Sequence, residues 1–160
     1  MWDYTVTYLR NQGVNNVGFV WNLGGGQASQ LSLMGIEGFV KAYYPGDDYT
    51  DIVSFDAYPP GPQNQDTYLA LTKDAPFNKP FMFGEIGAAA GNPPPSENTG
   101  DIANALDYVT TNFTDAVAVC VWPGTDAIPD QTGIGKPGDG MFKFMANPYV
   151  INLGGLPGGF

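Results

Sequence analysis

Histidine is missing from this sequence altogether. Without an imidazole there is no Ser-His-Asp or Cys-His catalysis and no His-ligated zinc, which excludes several large enzyme classes. Cysteine is nearly as scarce, because Cys120 stands alone and has no partner for an internal disulfide. It lies inside the apolar run "AVAVCVW", where a small buried hydrophobe is expected, since a reactive thiol needs exposure and a positive neighbour. Basic residues are few, six against sixteen acidic ones, and the net charge of −10 repels nucleic-acid phosphates and anionic membrane surfaces. Neither nucleic acid nor membrane is therefore an expected partner, whereas a neutral sugar polymer is indifferent to that charge. No apolar run approaches the ~18 residues of a membrane-spanning helix, and "MWDYTVTYLR" is polar and amphipathic rather than a signal sequence. A secreted protein would carry its signal outside this chain.

What is present is a globular profile: 160 residues, 43% hydrophobic and 14% aromatic, enough for one core. Four short apolar or β-branched runs stand out, "NVGFVWN", "DIVSFDAY", "PFMFGE" and "AVAVCVW", each followed by turn-forming residues. Their spacing of roughly thirty to forty residues is the length of a βαβ unit. Helical signals fill the gaps. In "TGDIANALDYVTTNF", Thr99 or Asp101 serves as N-cap, and Ile102, Leu106, Val109 and Phe113 share one face. "MWDYTVTYLRNQG" places Trp2, Val6 and Leu9 at helical spacing with Gly13 as the stop. A glycine-interrupted helix runs up to Tyr43, and shorter helices are expected at "TYLALTKDA" and "MFKFMA". Apolar strands alternating with helices predict an α/β fold with a parallel sheet. Residues 1–150 read as one domain and 151–160 as a glycine-rich tail.

Two architectures compete. A doubly wound sheet would place a phosphate loop after a strand, but "WNLGGGQAS" lacks both the GxGxxG spacing and the lysine of a P-loop. A (β/α)8 TIM barrel carries functional side chains at the C-terminal strand ends, which here read Trp21-Asn22, Asp56 to Tyr58, Glu85 and Trp122. Four strands amount to half of such a barrel. Aromatic faces beside carboxylates suit a pyranose, whose CH-rich face stacks on a ring while carboxylates serve the hydroxyls and the anomeric carbon. Glu85 ends an apolar strand between Gly84 and Ile86, with Gly87 two residues further on, and Lys79, the nearby cation, sits at the strand's other end. Unpaired semi-buried carboxylates of this kind concentrate at active sites. Asp56 and Tyr58 lie at i and i+2 and so share a face, from which Tyr58 can donate its phenolic hydrogen bond to Glu85. The plainer alternatives are that Trp21 and Trp122 are bulky core and that Asp56 anchors a loop. Asp47, Asp48 and Asp51 in "DDYTD" read as turn residues, because the glycine and terminal glutamate of a calcium loop are missing. No metal and no cofactor is expected.

The ordered set "NNVGFVWN", "YYPGDDYTDIVSFDAY", "KPFMFGEIG" and "VCVWPG" resembles the C-terminal half of glycoside hydrolase family 26, the β-mannanase group of (β/α)8 retaining glycosidases. "YYPGDDYTDIVSFDAY" is the most specific of these stretches. The resemblance implies that Glu85 matches the nucleophile on strand seven. It further implies that Asp56 and Tyr58 match the strand-six pair lining the sugar site, that Trp122 matches the strand-eight platform, and that Trp21 adds an aromatic wall from strand five. Secretion is expected from the same resemblance. The family's acid/base glutamate follows a histidine at the end of strand four, and this chain has no histidine. Glu37 falls in a predicted helix and Glu97 in a proline-rich loop, so neither is placed to serve. Two functional classes follow: a truncated retaining β-glycanase, active when completed, and a non-catalytic carbohydrate-binding remnant. Two open sheet edges suggest self-association or a complementing chain across them.

Overall fold

A computed structural model describes residues 1–58, 60–86 and 102–121, apart from the side chains of residues 25–29 and 102–104. Trp122, the "MFKFMA" segment and the glycine-rich tail lie outside the described residues. The chain alternates as the sequence spacing predicts: α1 (Trp2–Asn11), β1 (Val20–Leu23), α2 (Gly25–Tyr43), β2 (Ile52–Ala57), α3 (Gln65–Leu69), β3 (Phe81–Ile86), α4 (Ile102–Asn112) and β4 (Ala116–Val121). α3 continues as a wider π-helical turn over Ala70–Asp74. Just past the C-cap of α1, Gly13 has a φ of 79°, a left-handed conformation that glycine adopts without steric cost and that turns the chain out of the helix. α2 is kinked where Gly35 adopts a φ of 69° and a ψ of 166°, so the glycine-interrupted helix of the sequence is two helical pieces across one non-helical residue. It begins at Gly25, earlier than the apolar pattern of the sequence indicates.

The strands form one parallel sheet in the order β1-β2-β3-β4. Consecutive strands are neighbours throughout, so the described sheet has no reversal of strand order and none of the switch points at which doubly wound folds bind nucleotides. Its two faces differ sharply. On one lie Trp21, Leu23, Val53, Phe55, Ala57, Phe81, Phe83 and Ile86, which join Leu31 and Phe39 of α2, Tyr68 of α3 and Leu106 and Val109 of α4 in a single core. All described helices that pack on the sheet therefore cover the same face, as the outer layer of a barrel does and the two layers of a doubly wound fold do not.

Aromatic rings dominate that core. Phe83 lies 5.0 Å from Phe55, 5.2 Å from Phe81 and 5.1 Å from Phe113, all edge-on. Tyr68 packs edge-on against Phe81 and Phe113, while its hydroxyl donates to Asp115 at 2.8 Å and accepts the Asp115 N–H at 3.0 Å. A phenol can therefore sit at the buried edge without an unpaired oxygen.

The segment before β2 is fixed from outside. Across the turn Asp47–Tyr49, three successive carbonyls each accept a hydrogen bond from a different side chain: Lys79 Nζ at 2.9 Å, Arg10 Nη1 at 2.5 Å and Trp2 Nε1 at 2.7 Å. Asp51 accepts the Phe19 N–H at 2.7 Å and Asp47 accepts the Tyr44 hydroxyl at 2.6 Å. The acidic residues of "DDYTD" thus serve the turn, and Lys79 is engaged at the far end of β3 from Glu85.

Phe83 is fully buried among three rings. Phe83→Ala is expected to cost about 3–5 kcal/mol in urea unfolding, a large part of the ~5–15 kcal/mol typical of a domain. A loss under about 1 kcal/mol would mean that this aromatic cluster does not hold the sheet to its helices.

Candidate active site

Simple alternation along β3 puts Phe81, Phe83 and residue 85 on one face, which is the core face. The observed pairing departs from it. Phe55 pairs with Phe83 but the next residue, Asp56, pairs with Glu85, so Gly84 is an extra residue in β3. That bulge turns Glu85 onto the face opposite the helices, beside Asp56, and returns Ile86 to the core, where it is fully buried. Glycine is required there by space. A Cβ on Gly84 would overlap the side-chain oxygen of Asn22 and lie 3.0 Å from Asp56 Oδ1.

Opposite the core, the sheet therefore presents Asn22 from β1, Ser54 and Asp56 from β2, Gly84 and Glu85 from β3, and Tyr58 just beyond β2. Tyr58 is 37% exposed, and its hydroxyl donates to Glu85 Oε2. Asn22 Nδ2 donates to Asp56 Oδ1 at 2.9 Å, and Ser54 Oγ donates to Asn22 Oδ1 at 2.5 Å. Among the described residues, no lysine or arginine forms an ion pair with either carboxylate. Burial raises the Asp56 carboxyl above its ordinary value; the Asn22 hydrogen bond opposes this, and the charge of Glu85 adds to it. The Tyr58 phenol is also pushed up, first by burial and then by its hydrogen bond and proximity to Glu85, so it stays a protonated donor.

Glu85, Asp56 and Tyr58 thus come together at the C-terminal ends of adjacent strands. Trp21 does not join them. It is 7% exposed and packs against Phe39 at 5.8 Å, Tyr44 at 5.0 Å and Phe77 at 6.2 Å, on the helix side. Trp21 shares its strand parity with Leu23 and the core, and its neighbour Asn22 takes the open face, so the aromatic wall expected from Trp21 is a core residue instead. Cys120 is likewise a correction. Val119 and Val121 take the core side of β4, which leaves the thiol exposed on the other side rather than buried. Beyond the place of Asn22 at a strand end, no role for Asn22, Ser54 or Gly84 is read from the sequence; a polar residue inside each of two adjacent apolar runs is the signal that marks Asn22 and Ser54.

A carboxylate held by a neutral phenol, beside a second carboxylate fixed by an amide, suits attack on an electrophilic carbon next to hydrogen bonding of hydroxyls. The sequence matches the model of glycosyl hydrolase family 26 over residues 1–119. It is 34% identical over 86 residues to the mannan endo-1,4-beta-mannosidase A and B of Caldalkalibacillus mannanilyticus, a match covering 52% of this chain and 15% of that protein. The structure resembles an endo-beta-1,4-mannanase of Cellulomonas fimi, with a TM-score of 0.58 at 22% identity, over 92% of this chain and 34% of that one. It also resembles a Bacillus subtilis mannanase, with a TM-score of 0.50 at 20% identity, over 79% of this chain and 32% of that one. At these identities the structural likeness is one of fold. The chain spans about a third of the length of the two solved structures it matches.

Because the Asp56 carboxyl is raised above 3.8, the folded protein holds that proton more tightly than the unfolded chain. The contribution to stability is complete below the unfolded value and lost as pH rises through the folded one. Asp56→Asn is therefore expected to melt above the wild type at pH 7 in circular dichroism, with the advantage vanishing near about pH 3. A lower melting temperature at pH 7 would contradict this electrostatic account of the site.

Proposed function

The chain belongs to glycosyl hydrolase family 26, and from that premise we propose that it is the nucleophile-bearing part of a retaining endo-β-mannanase-like glycoside hydrolase. The observation that carries the reading is Glu85. The Gly84 bulge brings this carboxylate onto the open face, and the Tyr58 hydroxyl orients it. A mannan-directed activity is favoured by the mannan endo-1,4-beta-mannosidase of Caldalkalibacillus mannanilyticus among its relatives. In the reaction proposed, a Glu85 oxygen attacks the anomeric carbon as the glycosidic C–O bond breaks. The leaving oxygen takes a proton from a second carboxyl about 5.5 Å away. Water then attacks the glycosyl-enzyme ester, gives its proton to that second carboxylate, and frees Glu85. Asp56 and Tyr58 serve as sugar-site residues flanking the nucleophile. Trp122, outside the described residues, is retained in the proposal as a platform for the reacting sugar.

The proton donor is proposed to stand on strands one to four of a (β/α)8 barrel, with this chain supplying strands five to eight. β1 and β4 are the outer strands of the described sheet, and their outer edges are where those strands, or a second chain carrying them, would pair. A polymeric substrate is met outside the cell, so secretion is part of the same proposal. No helix among the described residues is long and apolar enough to cross a membrane.

The test is mass spectrometry after incubation with 2-deoxy-2-fluoro-mannosyl fluoride, whose activated leaving group reduces the need for a general acid. An adduct is expected on Glu85 in the wild-type chain and none in Glu85→Gln. A folded wild type that forms no adduct would mean that the chain by itself is not a working glycosidase site, and the carbohydrate-binding and partner-dependent readings would take over, the first of them if binding to mannan is retained.

A further inference from the structure

Asn22 reaches across the open face from the outer strand β1, and groups of β2 and β3 converge on it. Ser54 Oγ meets its Oδ1 at 2.5 Å, its Nδ2 reaches Asp56 Oδ1 at 2.9 Å, and Gly84 approaches so closely that no Cβ would fit. The direction of these bonds follows from chemistry. An ionised carboxylate only accepts, so it must meet the NH2 end of the amide. The amide oxygen then faces Ser54, whose fully buried hydroxyl must donate to it. Ser54, Asn22 and Asp56 form a one-way relay of donors that ends on the carboxylate.

We propose that Asn22 is a positioning residue of the sugar site: backed by Ser54, in space left by Gly84, it fixes the Asp56 carboxylate beside Glu85 as an acceptor for a sugar hydroxyl. The inference rests on the glycosidase reading above and adds to it the means by which two like charges are held on adjacent strands without a cation among the described residues. Glu85 from β3 and Tyr58 from the end of β2 are the titratable groups facing Asp56, and β1 contributes the neutral Asn22. Burial and the Glu85 charge favour protonation of Asp56, so the Asn22 amide is the contact that keeps an acceptor in place. Protonated, Asp56 would become a donor and the relay would lose its direction.

The experiment follows the Asp56 carboxyl carbon by 13C NMR through a pH titration of the 160-residue chain, in wild type, Asn22→Ala and Ser54→Ala. Alongside it, calorimetry with a β-1,4-mannan oligosaccharide at pH 7 measures affinity. Asn22→Ala is expected to move the Asp56 midpoint upward by about one pH unit and to weaken binding about tenfold, and Ser54→Ala to do the same to a smaller degree. An unchanged midpoint in both variants, each shown folded by its thermal melt, would overturn the proposal. A shifted midpoint with unchanged affinity would reduce the relay to a structural device, as would failure of both variants to fold; if Asn22→Ala alone does not fold, Ser54→Ala decides. A wild type that binds no sugar would strike the glycosidase reading instead, and the titration would still report whether Asn22 holds Asp56.

Discussion

One extra residue in a strand governs which face of the sheet the Glu85 carboxylate occupies. Phe81 and Phe83 must face the helices, since they supply much of the aromatic core, and regular alternation would bury Glu85 with them. An unpaired carboxylate there would cost several kcal/mol or be forced to take up a proton. The bulge at Gly84 separates the two demands. The strand stays anchored on both sides, by Phe83 before the glycine and Ile86 after it, while the carboxylate between them is delivered to the opposite face. Bulges next to functional groups commonly re-aim a side chain in this way.

The same glycine connects the third strand to the first. Its missing Cβ leaves the volume into which Asn22 of β1 extends as it hydrogen-bonds Asp56 on the neighbouring strand β2. Core packing and site geometry are thus coupled. The aromatic cluster holds β2 and β3 in register, and the register sets which polar groups meet. The turn at Asp47–Tyr49 supports this from the opposite end of the sheet, where side chains of α1 and Lys79 hold the chain as it enters β2. Lys79 being engaged there keeps a cation away from Glu85. The two carboxylates meet neutral donors instead, a phenol for one and an amide for the other. Such donors orient a carboxylate without cancelling its charge, which is what the proposed nucleophilic role of Glu85 requires.

Much of this was legible in the residues themselves. Hydrophobic runs at βαβ spacing marked all four strands, and the apolar face of Leu106, Val109 and Phe113 marked α4. A carboxylate at the end of an apolar strand was conspicuous because burial of charge is expensive, and Asp56 with Tyr58 followed from their two-residue spacing. Trp21 was misleading for a physical reason. Its ring is equally suited to a sugar platform and to a core, and only the packing of Phe39, Tyr44 and Phe77 around it decides between them. Cys120 failed in the opposite sense, since an apolar run suggests burial on both faces while this sheet has helices on only one among the described residues.

The sequence by itself determined the order of elements, the α/β class and the exclusion of histidine chemistry, because hydrophobic period, turn residues and residue type are local properties. It also placed a carboxylate, an aspartate and a tyrosine near strand ends. Which face each of them occupies was decided by the tertiary structure alone. An isolated strand has two equivalent faces, so side-chain direction is assigned only when helices cover one of them. The bulge that reverses Glu85 arises from pairing with β2, and the contact of Asn22 with Asp56 joins residues 34 positions apart. Neither is encoded in any short stretch of residues, since each exists only once the strands lie side by side.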